Sequence, residues 1–241
     1  MPPILLIPGN MCDERLWLPV AKRLAFAGHR VEHAPLLDQA SIVEMAEVAF
    51  AAANVPVVAV GFSMGAIVAS EMASRHPERV AALGLVAYNA SADLTERAAA
   101  RPRQQEEVRK GRLAEIVADE LKPNYLADAN RGDSGLLETV MAMALALGPE
   151  VFVRQSEALR LRRDLRPQLP GLEMPVMLAC GSEDRLCPPE WHREWARMTG
   201  RNARCTQIDG AGHLLPLEQP QMLADALIGW LAEEALCQTV S

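Results

Sequence analysis

Three residue types that together can turn a hydroxyl into a nucleophile occur here in a defined order. A serine stands in Gly61-Phe62-Ser63-Met64-Gly65, an aspartate ends Gly181-Ser182-Glu183-Asp184, and a histidine ends Gly210-Ala211-Gly212-His213. A free hydroxyl attacks carbonyls poorly near neutral pH, so it needs a base; an imidazole base in turn needs a carboxylate to hold its tautomer and stabilise the imidazolium. Given ~7% usage of Gly and Ser, G-x-S-x-G arises by chance in roughly one chain in ten of this length, so its surroundings decide what it means.

Those surroundings are a strand, a tight turn and a helix. Val57-Val58-Ala59-Val60 is fit for a buried parallel strand, and Ile67, Val68, Met72 and Ala73 recur as the buried face of a helix. A serine at such an apex is strained, and the residues two before and two after must be small, places that Gly61 and Gly65 fill. Pro175 to Ala179 reads as the strand leading to Asp184, and Ala203 to Ile208 as the strand leading to His213. All three groups then lie at the carboxyl edge of one parallel sheet. Asp93, after the strand-like run Val80 to Tyr88, is a rival for the acid, and Asp209 reads as a turn former. His29 and His33 flank an early strand, His76 ends a helix and His192 belongs to one; these read as structural. A tetrahedral oxyanion needs two fixed N–H donors. Met64, after the serine, supplies one, and the loop Pro8-Gly9-Asn10-Met11 supplies the other, through Asn10 first and Met11 next.

Strands and helices alternate from Ile4 to Tyr88, which builds a parallel sheet with helices on both faces. From Ser91 to Pro170 the alternation stops: Ala98–Lys110, Leu113–Leu121, Leu136–Leu147 and Val151–Leu161 read as helices, with Gly111, Pro123, Gly132, Gly135 and Gly148-Pro149 between them. The domain reading is therefore a core of residues 1–90 and 171–241 and a helical lid of residues 91–170. The lid carries thirteen acids and thirteen bases, so the remainder, with eighteen against eleven, holds the net charge of −7. Arg154, Arg160, Arg162, Arg163 and Arg166 outnumber Glu157 and Asp164 locally by three. That excess reads as a solvated helix face or as a docking patch for a carboxylate-bearing substrate or an acidic carrier protein. Met141, Met143, Leu145 and Leu147 read as core or as pocket lining.

An acidic chain without a Lys/Arg block is unsuited to nucleic acid. The first residues lack a basic leader and a small-residue cleavage site, and no apolar run approaches the length of a membrane span. Five scattered cysteines without paired spacing, Cys12, Cys180, Cys187, Cys205 and Cys237, fit free thiols in a reducing, cytoplasmic setting. No phosphate-binding loop and no metal-ligand spacing is present, so no cofactor and no metal are expected. With 4% aromatics the pocket is expected to be aliphatic.

Taken together and in order, the three motifs make the chain resemble the α/β-hydrolase fold family over its whole length. Two departures are visible: Pro8-Gly9 stands where the family often has His-Gly, and the antiparallel strands that often open the fold are missing, so the sheet begins at Ile4. Small size and a helical lid resemble the enol-lactone hydrolases, the carbon-carbon bond hydrolases and the carboxylesterases of that family. The resemblance implies an α/β fold with Ser63 as nucleophile, His213 as base, Asp184 as its acid, and Asn10 and Met64 as oxyanion donors. It implies cleavage of a small ester or lactone through an acyl-enzyme. A carbon-carbon hydrolase or lyase on the same residues, or a non-catalytic binding protein of the same fold, stays open beside it. Branches that attack with a carboxylate at the elbow are excluded by Ser63.

Overall fold

The runs Ile4–Ile7, Val57–Phe62, Val80–Val86 and Val176–Gly181 are almost wholly β-branched or aliphatic, as strands buried on both faces must be. The computed structural model describes residues 2–53, 55–121 and 125–239, and the side chains of all these except 121 and 235–239. Pro123 and the side chain of Cys237 thus lie outside the described residues. The four runs form β1, β3, β4 and β5 of a sheet whose edges are β2 (Val31–His33) and β6 (Ala203–Ile208). The order is β2-β1-β3-β4-β5-β6 and every neighbouring pair is parallel. This is the α/β-hydrolase fold, and its sheet begins at Ile4. The edge strand β2 is three residues long, and the Ala34 N–H just after it makes the last bond to β1, to Leu6 O at 3.1 Å.

Side chains alternate across the sheet, so each strand feeds two cores. Leu5 and Ile7 of β1, with Val57 and Ala59 of β3, pack on α2 (Ile42–Ala51), α3 (Met64–Arg75) and, through Trp195, α7 (Pro189–Thr199). Ile4, Leu6, Val58, Val60 and Phe62 face the opposite way, toward α1 (Leu18–Phe26) and α9 (Pro220–Thr239). A short α8 (Leu215–Glu218) precedes α9. Ser41 caps α2 by accepting the Glu44 N–H, and the Glu44 carboxylate reaches back to Ala40 N–H, one residue earlier than a standard capping box.

Between β4 and β5 the chain is helical, with α4 (Thr95–Arg109), α5 (Leu113–Glu115) running on into a wider turn over Ile116–Leu121, and α6 (Ser134–Arg160). The two helices expected at Leu136–Leu147 and Val151–Leu161 are one element broken at Gly148, whose φ of 80° and ψ of 178° are not helical. Over eighteen residues α6 reaches a mean hydropathy of 1.7, so by length and composition alone it could cross a membrane, although Glu138 and Glu150 interrupt its apolar residues and Gly148 divides it. The insertion has its own core of Val108, Leu113, Ile116, Val117, Ala144, Val151 and Phe152, and Met11 from the loop after β1 completes it.

Candidate active site

Ser63 sits between β3 and α3 at φ 52°, ψ −112°, a strained place for a residue with a Cβ. Close approach of strand, helix and first strand enforces the turn. A Cβ on Gly61 would lie 2.1 Å from Gly65 O, and one on Gly65 would lie 2.2 Å from Ile7 O. The apex lifts the serine hydroxyl to the carboxyl edge of the sheet. There His213, from the loop after β6, brings Nε2 to 3.0 Å from Ser63 Oγ. Asp184, three residues past β5, lies 2.9 Å from His213 Nδ1 through Oδ2 and 3.1 Å through Oδ1. Nδ1–H donating to the carboxylate leaves Nε2 free to accept the serine proton.

Asp184 is 2% exposed and also accepts the N–H groups of Leu186 at 2.9 Å and Cys187 at 2.8 Å. Burial pushes its carboxyl up, but the facing His213 charge, the His213 hydrogen bond and the Cys187 N–H together hold it below the usual value. The carboxylate thus remains charged where an imidazolium would form. Asp93, the rival acid, is spent elsewhere, on Arg101 Nε at 2.6 Å and Arg162 Nη1 at 2.7 Å. Glu183 accepts the Asp128 N–H at 2.9 Å and so ties the acid loop to the insertion.

The N–H groups of Asn10 and Met64 meet no acceptor among the described residues, and both residues line the cavity above Ser63. The Met11 N–H is committed to Gln155 Oε1 at 2.8 Å, which leaves Asn10 as the donor of that loop. Two residues that support the site carry no motif. Gln155 receives Met11 N–H and Asn10 Nδ2, and its Nε2 donates to Leu36 O at 2.9 Å. Glu218 accepts from Ala127 N–H, Asn130 Nδ2 and Gly212 N–H, clamping the histidine loop to the insertion. Burial raises its pKa. The available signal was a polar residue within an apolar pattern: Gln155 lies one turn from both Val151 and Leu159, and Glu218 follows Leu214-Leu215-Pro216-Leu217.

The cavity measures about 280 Å³ and is not aliphatic. Phe62, Ile67, Tyr125, Leu159 and Leu214 share its lining with Arg97, Arg101, Arg162, Asp93, Asn89 and Gln104. Whole-chain composition does not predict the lining, because the residues that face the cavity are few and include Arg97, Arg101 and Gln104 of the polar helix α4. Met143 is core, Leu145 is exposed and Leu147 borders a separate cavity of about 570 Å³ beside Trp17 and His33. Each arginine of the run 154–166 faces a carboxylate: Asp38, Glu157, Asp93, Glu71 and Asp164 in turn. Three of those acids come from outside the run, so an acidic partner docking there would compete with existing pairs.

Asp184, Cys187 and His213 place a carboxylate oxygen, a sulfur and a ring nitrogen within 4.8 Å of one another. They do not suit a metal, because the Asp184 and His213 atoms are bonded to each other. Burial, with Asp184 nearby, also pushes the Cys187 thiol well above its ordinary pKa, away from the thiolate that a metal needs.

The sequence profile of the alpha/beta hydrolase family matches residues 4–226. RutD of Azorhizobium caulinodans, whose name assigns it provisionally to carbamate hydrolysis, is 28% identical over 249 residues, covering 96% of this chain and 91% of its own. An esterase from Thermogutta terrifontis, solved with malate bound, is 27% identical with a TM-score of 0.87, over 97% of this chain and 90% of its own. An enol-lactonase from Burkholderia xenovorans LB400 is 20% identical with a TM-score of 0.81, over 96% and 92%, and at that identity it speaks for the fold alone.

Proposed function

This chain belongs to the alpha/beta hydrolase family, and on that premise we propose that it is a serine hydrolase that cleaves a carboxylic ester or lactone of a small metabolite through an acyl-enzyme. The relay from Ser63 Oγ to His213 Nε2 at 3.0 Å, and from His213 Nδ1 to Asp184 at 2.9 Å, carries the proposal. Ser63 Oγ attacks the carbonyl carbon as its proton passes to His213 Nε2. The N–H groups of Asn10 and Met64 receive the oxygen as it gains charge, a contribution that typically makes a 10²–10³-fold difference in kcat per donor, on the order of 3–4 kcal/mol. The imidazolium, facing the buried Asp184 carboxylate, then protonates the departing alkoxide. Water repeats the sequence on the acyl-enzyme, with His213 again as base. The helical insertion serves as the lid: Arg97, Arg101 and Arg162 of the cavity wall come from it. A cavity of about 280 Å³ sits at the small end of ligand pockets, which run about 300–1,000 Å³, and suits a small metabolite.

A fluorophosphonate probe tests the reading. Labelling at Ser63 that disappears in Ser63→Ala and falls sharply in His213→Ala supports it; a folded protein that the probe leaves untouched refutes it. Turnover of p-nitrophenyl esters of graded length then reports on the bond and on pocket depth. The likeness to RutD favours a carbamate as the second reading, since the same attack serves that carbonyl. Aryl carbamates that turn over, rather than block Ser63, would select it.

A further inference from the structure

A chain with seven more acids than bases walls its serine cavity with guanidinium groups. Arg97, Arg101 and Arg162 line that cavity together with Asp93 and Glu120. Glu120 is bound by Arg103 and Gln104. Asp93, its side chain 2% exposed, is shared between Arg101 and Arg162. Three cations therefore face one carboxylate that is not neutralised by a further base, an excess of two positive charges.

Arg97 is the member left over. Among the described residues no carboxylate lies within ion-pair distance of it, and its hydrogen bond runs from Nη2 to Leu186 O at 3.3 Å, next to Asp184 and Cys187. Asn89, 4% exposed, lines the same cavity; its Oδ1 is held by the Ser91 N–H at 2.9 Å and its Nδ2 has no acceptor among the described residues. Arg97 is half-buried in the cavity wall, and a guanidinium there without a counter-ion draws an anion to it. The planar guanidinium fork matches a carboxylate edge to edge.

We propose that the substrate carries a free carboxylate, received by Arg97 beside the Asn89 amide. Resting on Ser63 as the nucleophile, this makes the substrate class half-esters of small dicarboxylic acids or lactones with a carboxylate side chain. Asp93 keeps Arg101 and Arg162 in place, and those two add to the field that draws the anion in.

Two measurements test this, and the first does not depend on hydrolysis. Calorimetric titration of Ser63→Ala protein with glutarate is expected to show binding that weakens about tenfold or more when Arg97→Gln is added, as for a lost charged hydrogen bond. Arg97→Lys, which keeps the charge but not the fork, should fall between. Absence of binding, or binding equal in the Arg97→Gln protein, overturns the anion site, and tighter binding of inorganic phosphate than of glutarate overturns the choice of a carboxylate. The second is the ratio of kcat/KM for monomethyl glutarate to that for dimethyl glutarate. It is expected to exceed about ten in the wild-type enzyme and to approach one in Arg97→Gln, chiefly through KM. A wild-type ratio of one or below overturns the substrate class. Failure of the probe to label Ser63 would refute the hydrolase reading while the titration still decides the anion site.

Discussion

Gln155 of the helical insertion holds Met11 of the loop after β1: its Oε1 accepts the Met11 N–H at 2.8 Å while its Nε2 donates to Leu36 O at 2.9 Å. Met11 stands at φ 53°, a left-handed conformation that costs an L-residue about 1–2 kcal/mol, so something must hold it there. Its side chain is sunk in the insertion's core, and Gln155 fixes its backbone. Asn10, immediately before it, is thereby aimed with its own N–H free.

Replacing Gln155 with Met keeps length and loses all three of its hydrogen bonds, freeing the part-buried Asn10 amide and leaving the buried Met11 N–H and Leu36 C=O unpaired at about 1–3 kcal/mol each. The melting temperature should fall by about 2–4 °C for each kcal/mol lost. If Asn10 serves the oxyanion, kcat should fall about tenfold or more with KM moved less, because misaiming that donor is felt in the transition state. Steady-state kinetics on folded Gln155→Met protein check this, and an unaltered kcat contradicts it.

Asp184 and Asp93 should separate by the kind of damage their loss causes. Asp184→Asn keeps the size of the side chain but stops it from holding Nδ1 protonated, and kcat should fall about 10⁴-fold. Asp93→Asn breaks a buried pair with Arg162 and leaves guanidinium charge uncompensated, a loss of about 3–5 kcal/mol. Urea unfolding and ester turnover on both variants decide: a larger loss of kcat in Asp93→Asn than in Asp184→Asn would reverse the assignment of the acid.

The serine turn was legible because its constraints are local. Gly61 and Gly65 are required by backbone contacts of 2.1–2.2 Å, and the apolar runs on either side announce a strand and a helix by period alone. The sheet was legible for the same reason, since strands buried on both faces are written as unbroken aliphatic runs. The cavity was not. Arg97 and Arg101 lie one turn apart on α4, a helix so polar that it reads as solvated, and only its packing beside α6 turns them inward. The arginine run of residues 154–166 seemed to carry a surplus because Asp38, Glu71 and Asp93, which meet three of its members, are remote in sequence. Gln155 and, apart from its bond to Gly212, Glu218 act through contacts more than eighty residues away, and nothing near them in the chain records those remote partners.

Gly212 is a position where a single methyl group should disturb the histidine without disturbing the sheet. A Cβ there would lie 2.6 Å from Ala127 N and 2.7 Å from Leu126 C, backbone atoms of the insertion that cannot swing aside. The adjacent His213 and Leu214 N–H groups both donate to Tyr125 O, at 2.7 and 3.1 Å, so the displaced segment is the one that seats the imidazole. Gly212→Ala should lower kcat by about tenfold or more, the scale of effect expected when a catalytic group is misplaced by about 1 Å. Fluorophosphonate labelling rates and circular dichroism together check it; full labelling speed in the folded variant refutes the seating role.

His192 should set part of the acid sensitivity of the fold. It is fully buried on α7, with Nδ1 at 3.2 Å from Pro188 O and Nε2 accepting the Tyr88 N–H at 2.8 Å, so both ring nitrogens are used in the neutral form. Burial, opposed in part by the charge of Asp184, pushes its pKa down to about 4. In the unfolded chain the same ring titrates near ~6.5. Between those values the unfolded chain takes up a proton that the folded one refuses, so stability falls as pH drops. The contribution of the neutral ring is complete above about 6.5, shrinks as pH falls toward about 4 and is gone below it. Its full size is on the order of 3 kcal/mol. His192→Gln offers Tyr88 an acceptor that does not titrate. Urea unfolding at pH 7 and pH 4.5 should show the variant losing about 2–3 kcal/mol less than the wild-type protein over that interval, while carboxylates contribute alike to both. Equal losses in the two proteins would mean that the ring is charged, or accessible to protons, in the folded state.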